Sequence, residues 1–130
     1  LEAMPKKIRQ KVCHSMEKTR NNEKLVLNIA WNYGGRDEIV CALQEIVKAG
    51  IPAEKINEEV ITQHLFTHGS PDPDLIIRTS GEMRVSNFLI WQSAYAEWYF
   101  TPTLWPDFNK EELKKAIDNY SHRKRRFGKL

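Results

Sequence analysis

The strongest constraint on the fold is the way short apolar runs alternate with helix-period segments. Leu25-Val26-Leu27-Asn28-Ile29-Ala30-Trp31, Asp74-Leu75-Ile76-Ile77-Arg78-Thr79 and Trp98-Tyr99-Phe100-Thr101 are brief, apolar and rich in β-branched or aromatic residues. Runs of that kind read as buried strands. Between them lie segments with apolar residues three and four apart. Ile8, Val12 and Met16 follow Pro5, and Ile39, Val40, Leu43, Ile46 and Val47 follow Asp37 and stop at Gly50. Proline at a helix start, a capping Asp and a closing Gly are the expected punctuation. Ile51-Pro52-Ala53 opens a further helical region, and Asn57 caps a helix through Ile61 to Phe66. Asn87 to Ala96 reads as another helix, and Asn109 with Glu112 opens a last one from Lys110 to about Arg125. The order is α-β-α-α-β-α-β-α. Strands separated by helices must run parallel, so the class is α/β, a mostly parallel open sheet with helices on both faces. Three strands are few for such a sheet, and the domain is expected to be incomplete in this chain.

Composition narrows the function classes. Of 130 residues, 41% are hydrophobic and 28% charged, which describes a globular chain and not a disordered one. A net charge of +3 is too slight for a dedicated nucleic-acid binder and suits an enzyme of anionic substrates. No run approaches the roughly 20 apolar residues of a membrane span, and no signal-peptide pattern opens the chain. Cys13 and Cys41 lack a CxxC partner, which predicts two reduced thiols in a cytoplasmic protein. His64 and His68 stand one helical turn apart without a third ligand or HExxH pattern, which predicts exposed histidines and not a metal site.

The chemistry concentrates in the loop after the second strand. Ligands of open α/β sheets bind beyond the carboxyl ends of the strands, where Arg78 falls. Arg84 and Ser86 follow on the same loop, and Gly81 lets the backbone curl. Arginine forks match phosphate oxygens in pairs, and Asn87 is placed to cap a helix whose free amides would face the same anion. The alternative reading is a surface loop whose arginines pair with Glu82 or with solvent.

Arg78-Thr79-Ser80-Gly81-Glu82-x-Arg84-x-Ser86-Asn87-Phe88-Leu89-x-Trp91-Gln92 resembles the signature of the cis-prenyltransferases, most closely the bacterial undecaprenyl diphosphate synthases. So do Asn32-Tyr33-Gly34-Gly35-Arg36, Ala94-Tyr95-Ala96-Glu97-x-x-Phe100, Leu104-Trp105-Pro106-Asp107-Phe108 and Arg123-x-Arg125-Arg126-Phe127-Gly128, in the right order from about Leu25 to Gly128. The resemblance implies condensation of isopentenyl diphosphate onto an allylic primer such as farnesyl diphosphate with cis double bonds. The product would be a polyprenyl carrier for cell-wall synthesis. It further implies Mg²⁺, a homodimer, a cytoplasmic location and peripheral membrane contact for product release. Carried over residue by residue, Arg78, Arg84 and Ser86 hold the diphosphate of isopentenyl diphosphate, and Glu97 helps bind Mg²⁺. Arg126 and Gly128 reach the active site of the other subunit. Residues Leu25, Val26, Leu27 and Ile29 line a chain-elongation tunnel or simply pack in the core. Arg36 supports the site or braces the dimer. Trp105 and Phe108 are packing residues. The absence of a DDxxD motif argues against the all-helical trans-prenyltransferases.

The family's Asp-Gly-Asn-Gly-Arg motif, which binds the metal and the allylic diphosphate, is not in this sequence. Residues 1–130 therefore read as the carboxy-terminal part of a single domain that carries the isopentenyl side of a divided site. A folded state is expected to need the missing part or an oligomer. Two other classes compete: a non-catalytic prenyltransferase-like interaction subunit, against which the retained Arg78, Arg84, Ser86 and Glu97 speak, and a small nucleic-acid binder using the basic tail, which lacks interleaved aromatic residues. The expected outcome for the chain alone, incubated with farnesyl and isopentenyl diphosphates and Mg²⁺, is no elongated product. Robust elongation in a radiolabel assay would overturn the divided-site reading.

Overall fold

The computed structural model describes residues 4–123. The chain divides into two compact units, Leu1–Trp31 and Asn32–Leu130.

The first unit holds helix α1, Lys6–Thr19, which begins after Pro5 and buries none of its residues. Residues 25–31 form no strand. Leu25, Val26, Leu27 and Ile29 are 75–80% exposed, contrary to the sequence expectation. The physical reason is pairing: an extended segment becomes a strand only when its amides and carbonyls meet a ladder, and the sheet of the described residues has two strands, neither of them this one.

In the second unit, α2 spans Gly35–Lys48. It ends where Gly50 turns to φ 68° and Ile51 N–H closes back on the carbonyl of Ile46 at 3.3 Å. A single 3₁₀ turn at Ala53–Lys55 replaces the expected helix there. Helix α3, Glu58–His64, starts at Asn57, whose side chain accepts from the amide of Val60 at 2.9 Å. Strands β1, Leu75–Arg78, and β2, Glu97–Phe100, pair in parallel, with Leu75 opposite Glu97 and Arg78 opposite Phe100. Helix α4, Lys110–Ser121, is capped by Asn109, which accepts from the amides of Glu111 and Glu112 at 3.0 and 3.1 Å. Both Asn caps are as the sequence predicts. The sheet is parallel as predicted, with helices α3 and α2 before it and α4 after it.

The expected helix over residues 87–96 is absent. Ser86, Asn87 and Leu89 have φ of 49°, 63° and 45°, a left-handed conformation that no α-helix accommodates. The segment is a chain of turns instead, closed by bonds such as Ser93 N–H to Leu89 carbonyl at 2.9 Å and Ala96 N–H to Ser93 carbonyl at 3.1 Å.

The apolar core of the described residues is small: Ala42, Ile46, Leu65, Ile76 and Ala116. On α2 the buried stripe is Gly35, Glu38, Ala42 and Ile46. Val40, Leu43 and Val47, expected on the inner face, are 42–74% exposed. The reason for the rotated stripe lies at the helix start. Gly35 is pressed against the turn at Ile90, and a Cβ there would lie 2.9 Å from both the backbone nitrogen and Cγ1 of Ile90. Gly35→Ala is expected to force that turn outward and to cost about 1–3 kcal/mol of stability, as overpacking does. Thermal melting of the two proteins checks it, and superimposable curves would count against the close approach.

Candidate functional site

The carboxyl end of β1 delivers Arg78 and then turns sharply. Thr101 N–H donates to the carbonyl of Arg78 at 2.9 Å, one step beyond the ladder. Ser80 and Gly81 then adopt φ of 75° and 71°, and their amides donate to the carbonyls of Thr103 and Thr101, both at 2.9 Å. The strand end is thereby stapled to the segment that leaves β2.

Beyond this staple the chain folds back over Arg78. The Nη1 of Arg78 donates to the carbonyl of Arg84 and, at 3.0 Å, to the hydroxyl of Ser86. Arg78 and Ser86 therefore come together as expected. Both recorded bonds use Nη1, and the other edge of the guanidinium fork and the Ser86 hydroxyl proton have the chemistry to meet an anion. Arg84 joins through its backbone, while its side chain pairs with Glu82. That pair realises the surface reading for one of the two arginines. The two side chains are 65% and 41% exposed, so the pair is weak and exchangeable for a more highly charged partner.

Asn87 does not cap a following helix. It caps α2 from a distance. Its carbonyl accepts from Gly35 N–H at 2.7 Å and its Oδ1 from Arg36 N–H at 2.9 Å. Gly34 supplies no side-chain cap, and a Cβ on it would sit 2.8 Å from Asn87 Nδ2. The twin glycines thus admit the loop, and Asn87 satisfies helix amides that would otherwise be orphaned. This contact brings the exposed Arg36 to the base of the loop.

Beneath these contacts lies a group that sequence reasoning did not single out. Glu38 is fully buried. Its Oε2 accepts from the Tyr33 hydroxyl at 2.5 Å and from Gln92 Nε2 at 3.0 Å, and its Oε1 from the amide of Phe66 at 2.8 Å. Gln92 Nε2 also donates to Thr67 Oγ1 at 2.8 Å, and its Oε1 is buried without a partner among the described residues. Trp91 Nε1 donates to Thr62 Oγ1 at 3.1 Å. Tyr33 meets Phe88 edge-on at 5.8 Å. Burial, followed by the bond to Glu38 and the repulsion of its charge, pushes the Tyr33 phenol well above its ordinary value. The signal in the sequence was the helical spacing of Glu38 with Ala42 and Ile46.

Glu97 stands apart from the loop. It opens β2 opposite Leu75, whereas Arg78 closes β1 opposite Phe100. Three residues of strand separate those positions, about 10 Å at strand rise. Its Oε2 accepts from Arg123 Nη1 at 2.6 Å, and Asn119 Oδ1 holds the same guanidinium at 2.8 and 3.1 Å. Among the described residues no group of three or more His, Cys, Asp or Glu is arranged to hold a metal ion. Glu97 suits one carboxylate position on a Mg²⁺ ion whose remaining ligands are water and phosphate oxygens. His64 and His68 each turn Nδ1 to a backbone carbonyl, of Val60 at 2.7 Å and of Leu65 at 3.2 Å. Trp105 and Phe108 stack on each other at 6.0 Å. Arg126 and Gly128 lie outside the described residues. No helix among those residues is long and apolar enough to cross a membrane.

A family model described as "Putative undecaprenyl diphosphate synthase" matches residues 1–128. The chain is 50% identical to an isoprenyl transferase of Clostridium tetani over 129 residues, covering 96% of this chain and 51% of that protein. It is 53% identical to one of Fusobacterium nucleatum over 125 residues, covering 96% and 53%. It therefore spans about half the length of the curated relatives it matches. Among solved structures, it superposes on lavandulyl diphosphate synthase from Lavandula x intermedia, crystallised with dimethylallyl diphosphate, with a TM-score of 0.92 and 36% identity, covering 98% of this chain and 57% of that one. A probable undecaprenyl diphosphate synthase from Campylobacter jejuni matches with a TM-score of 0.84 and 40% identity, covering 99% and 60%.

The raised Tyr33 phenol sets a pH dependence. A folded value above the unfolded one means that its contribution to stability is complete below the ordinary phenol range near 10 and is lost as pH rises beyond it. In denaturant unfolding at pH 8 and at about pH 11, the stability of the wild-type chain relative to Tyr33→Phe should shrink at the higher pH. A difference that grows or stays level would contradict the buried Tyr33–Glu38 bond.

Proposed function

The chain belongs to the prenyltransferase family of undecaprenyl diphosphate synthases, and from that membership we propose that it carries the isopentenyl diphosphate side of a cis-prenyltransferase site. On this reading residues 1–130 are the carboxy-terminal part of a single domain. The whole enzyme condenses isopentenyl diphosphate onto farnesyl diphosphate or a similar allylic primer.

The observation that carries the reading is the fold of residues 78–86, with Arg78 Nη1 held between the Arg84 carbonyl and the Ser86 hydroxyl. A strand end, a left-handed turn and a returning loop hold one guanidinium in a defined orientation. An arginine so restrained binds a diphosphate with little further ordering cost. Arg84 completes the clamp by leaving Glu82, a surface exchange that costs little. Glu97 would supply one carboxylate to a Mg²⁺ ion in place of its bond to Arg123, and Arg126 and Gly128 would contribute to the neighbouring subunit of a homodimer. When bound, the metal offsets charge on the diphosphates and favours departure of the allylic one. The binding of dimethylallyl diphosphate by the lavender enzyme supports the class of ligand, a prenyl diphosphate, and not its chain length. Product release at a membrane surface follows from the apolar nature of a polyprenyl chain.

Calorimetric titration of the chain with inorganic diphosphate and Mg²⁺ tests the clamp. Arg78→Ala removes a charged donor worth about 1.5–3 kcal/mol, so Kd should rise roughly 10- to 150-fold. Arg84→Ala should weaken binding less, because Arg84 must first leave Glu82 to meet the ligand. Equal affinity of wild type and Arg78→Ala would sink the assignment.

A further inference from the structure

The loop that presents Arg78 is not held by β1 alone. Its second and third residues hang from the segment after β2, through Ser80 N–H to Thr103 carbonyl and Gly81 N–H to Thr101 carbonyl, both 2.9 Å. That segment is in turn fastened to α4. Thr103 Oγ1 lies 3.0 Å from Glu112 Oε2, Thr101 Oγ1 lies 3.4 Å from the same atom, and the two hydroxyls are 3.1 Å apart. Thr103 N–H also donates to Thr101 Oγ1 at 3.3 Å. Each threonine has one hydroxyl proton, so the simplest relay runs from Thr101 to Thr103 and from Thr103 to the carboxylate.

From this relay we propose that Glu112 is a positioning residue for the diphosphate site: through the hydroxyls of Thr103 and Thr101 it sets where the Ser80–Gly81 turn sits, and so where Arg78 and Ser86 meet a ligand.

Glu112 is suited to the role by what it does not do. At the third position after the Asn109 cap it would ordinarily reach back to the cap's own amide, the reciprocal half of a capping box. Its carboxylate turns to the threonines instead, and its side chain is only 17% exposed. Lys115 Nζ sits 2.5 Å from its other oxygen. The bond from Lys115, then that from the Thr103 hydroxyl, hold its carboxyl below the usual range and keep it an acceptor. Thr101 is itself 3% exposed, so its hydroxyl has little access to water as a substitute partner. Ser80 sits at positive φ without being glycine, a conformation that persists only when neighbours enforce it. The two carbonyls that take the Ser80 and Gly81 amides are those neighbours.

The inference rests on the proposal that this loop binds a diphosphate, and its test separates the two. Kd for inorganic diphosphate with Mg²⁺ is measured by calorimetry for the wild-type chain, Glu112→Ala, Thr103→Val, Thr103→Ser and Asn109→Ala. The amide resonances of Ser80 and Gly81 are followed by NMR in each ligand-free protein. Thr103→Val and Glu112→Ala should shift both resonances and raise Kd about 3- to 10-fold, the range for losing one hydrogen bond. Thr103→Ser, which restores the hydroxyl, should return both to wild type. Asn109→Ala removes the cap of the same helix and should lower Tm while leaving Kd unchanged. If Glu112→Ala fails to fold, the Thr103 pair carries the comparison. Wild-type binding that Thr103→Val leaves within twofold overturns this inference alone. So does an equal loss in Asn109→Ala, which would mean general loosening of α4. No diphosphate binding by the wild-type chain removes the proposed function as well.

Discussion

Glu38 is a carboxyl group with no exposure, and the apolar core around it, among the described residues, is five small or medium side chains. Burying such a group costs several kcal/mol unless donors surround it, and three donors do: the Tyr33 hydroxyl, the Phe66 amide and the Gln92 side chain. They come from the turn before α2, the segment after α3 and the far end of the loop that follows β1. Removing any one strands part of the carboxyl and relaxes the segment that supplied the donor. The loop is therefore anchored at its distal end by an interaction in the core of the unit, and not by its own residues.

A second anchor acts at the proximal end. The Thr101 and Thr103 carbonyls take the Gly81 and Ser80 amides of the loop, and Glu112 steadies the threonines from α4. Asn87 forms a third attachment, to the start of α2. Charged side chains in and near the loop are held in ion pairs. Arg84 pairs with Glu82, and Glu97 pairs with Arg123. The division is physically sensible: the backbone path is held by buried or semi-buried bonds, while the Arg84–Glu82 pair is a surface ion pair that gives way at little cost.

Legibility in the sequence varied with the range of the forces involved. Asn57 and Asn109 cap their helices as read, because a cap bonds to an amide two or three residues away. The two strands that formed lie within a residue or so of where their apolar runs predicted. Residues 25–31 have the same composition and did not form one, since a strand is a pairing and its partner is not specified locally. Residues 87–96 carry helical spacing at Phe88, Trp91 and Tyr95, yet three left-handed backbones at 86, 87 and 89 break it. The middle one of the three, Asn87, bonds to amides at the start of α2, 51 residues earlier for Arg36.

The loop from Arg78 to Gln92 carries most of the family resemblance in the sequence, because its side chains recur there in a particular order. The sequence likewise placed the Asn57 and Asn109 caps and the two parallel strands. Only the tertiary structure could show that Glu38 is the buried tie beneath the loop and that Glu112 serves Thr103 instead of its own cap. It alone put Glu97 at the opposite end of the strands from Arg78. In each case the deciding bond joins groups far apart in the chain or chooses between local partners, and nothing in residue type or spacing states which partner is met.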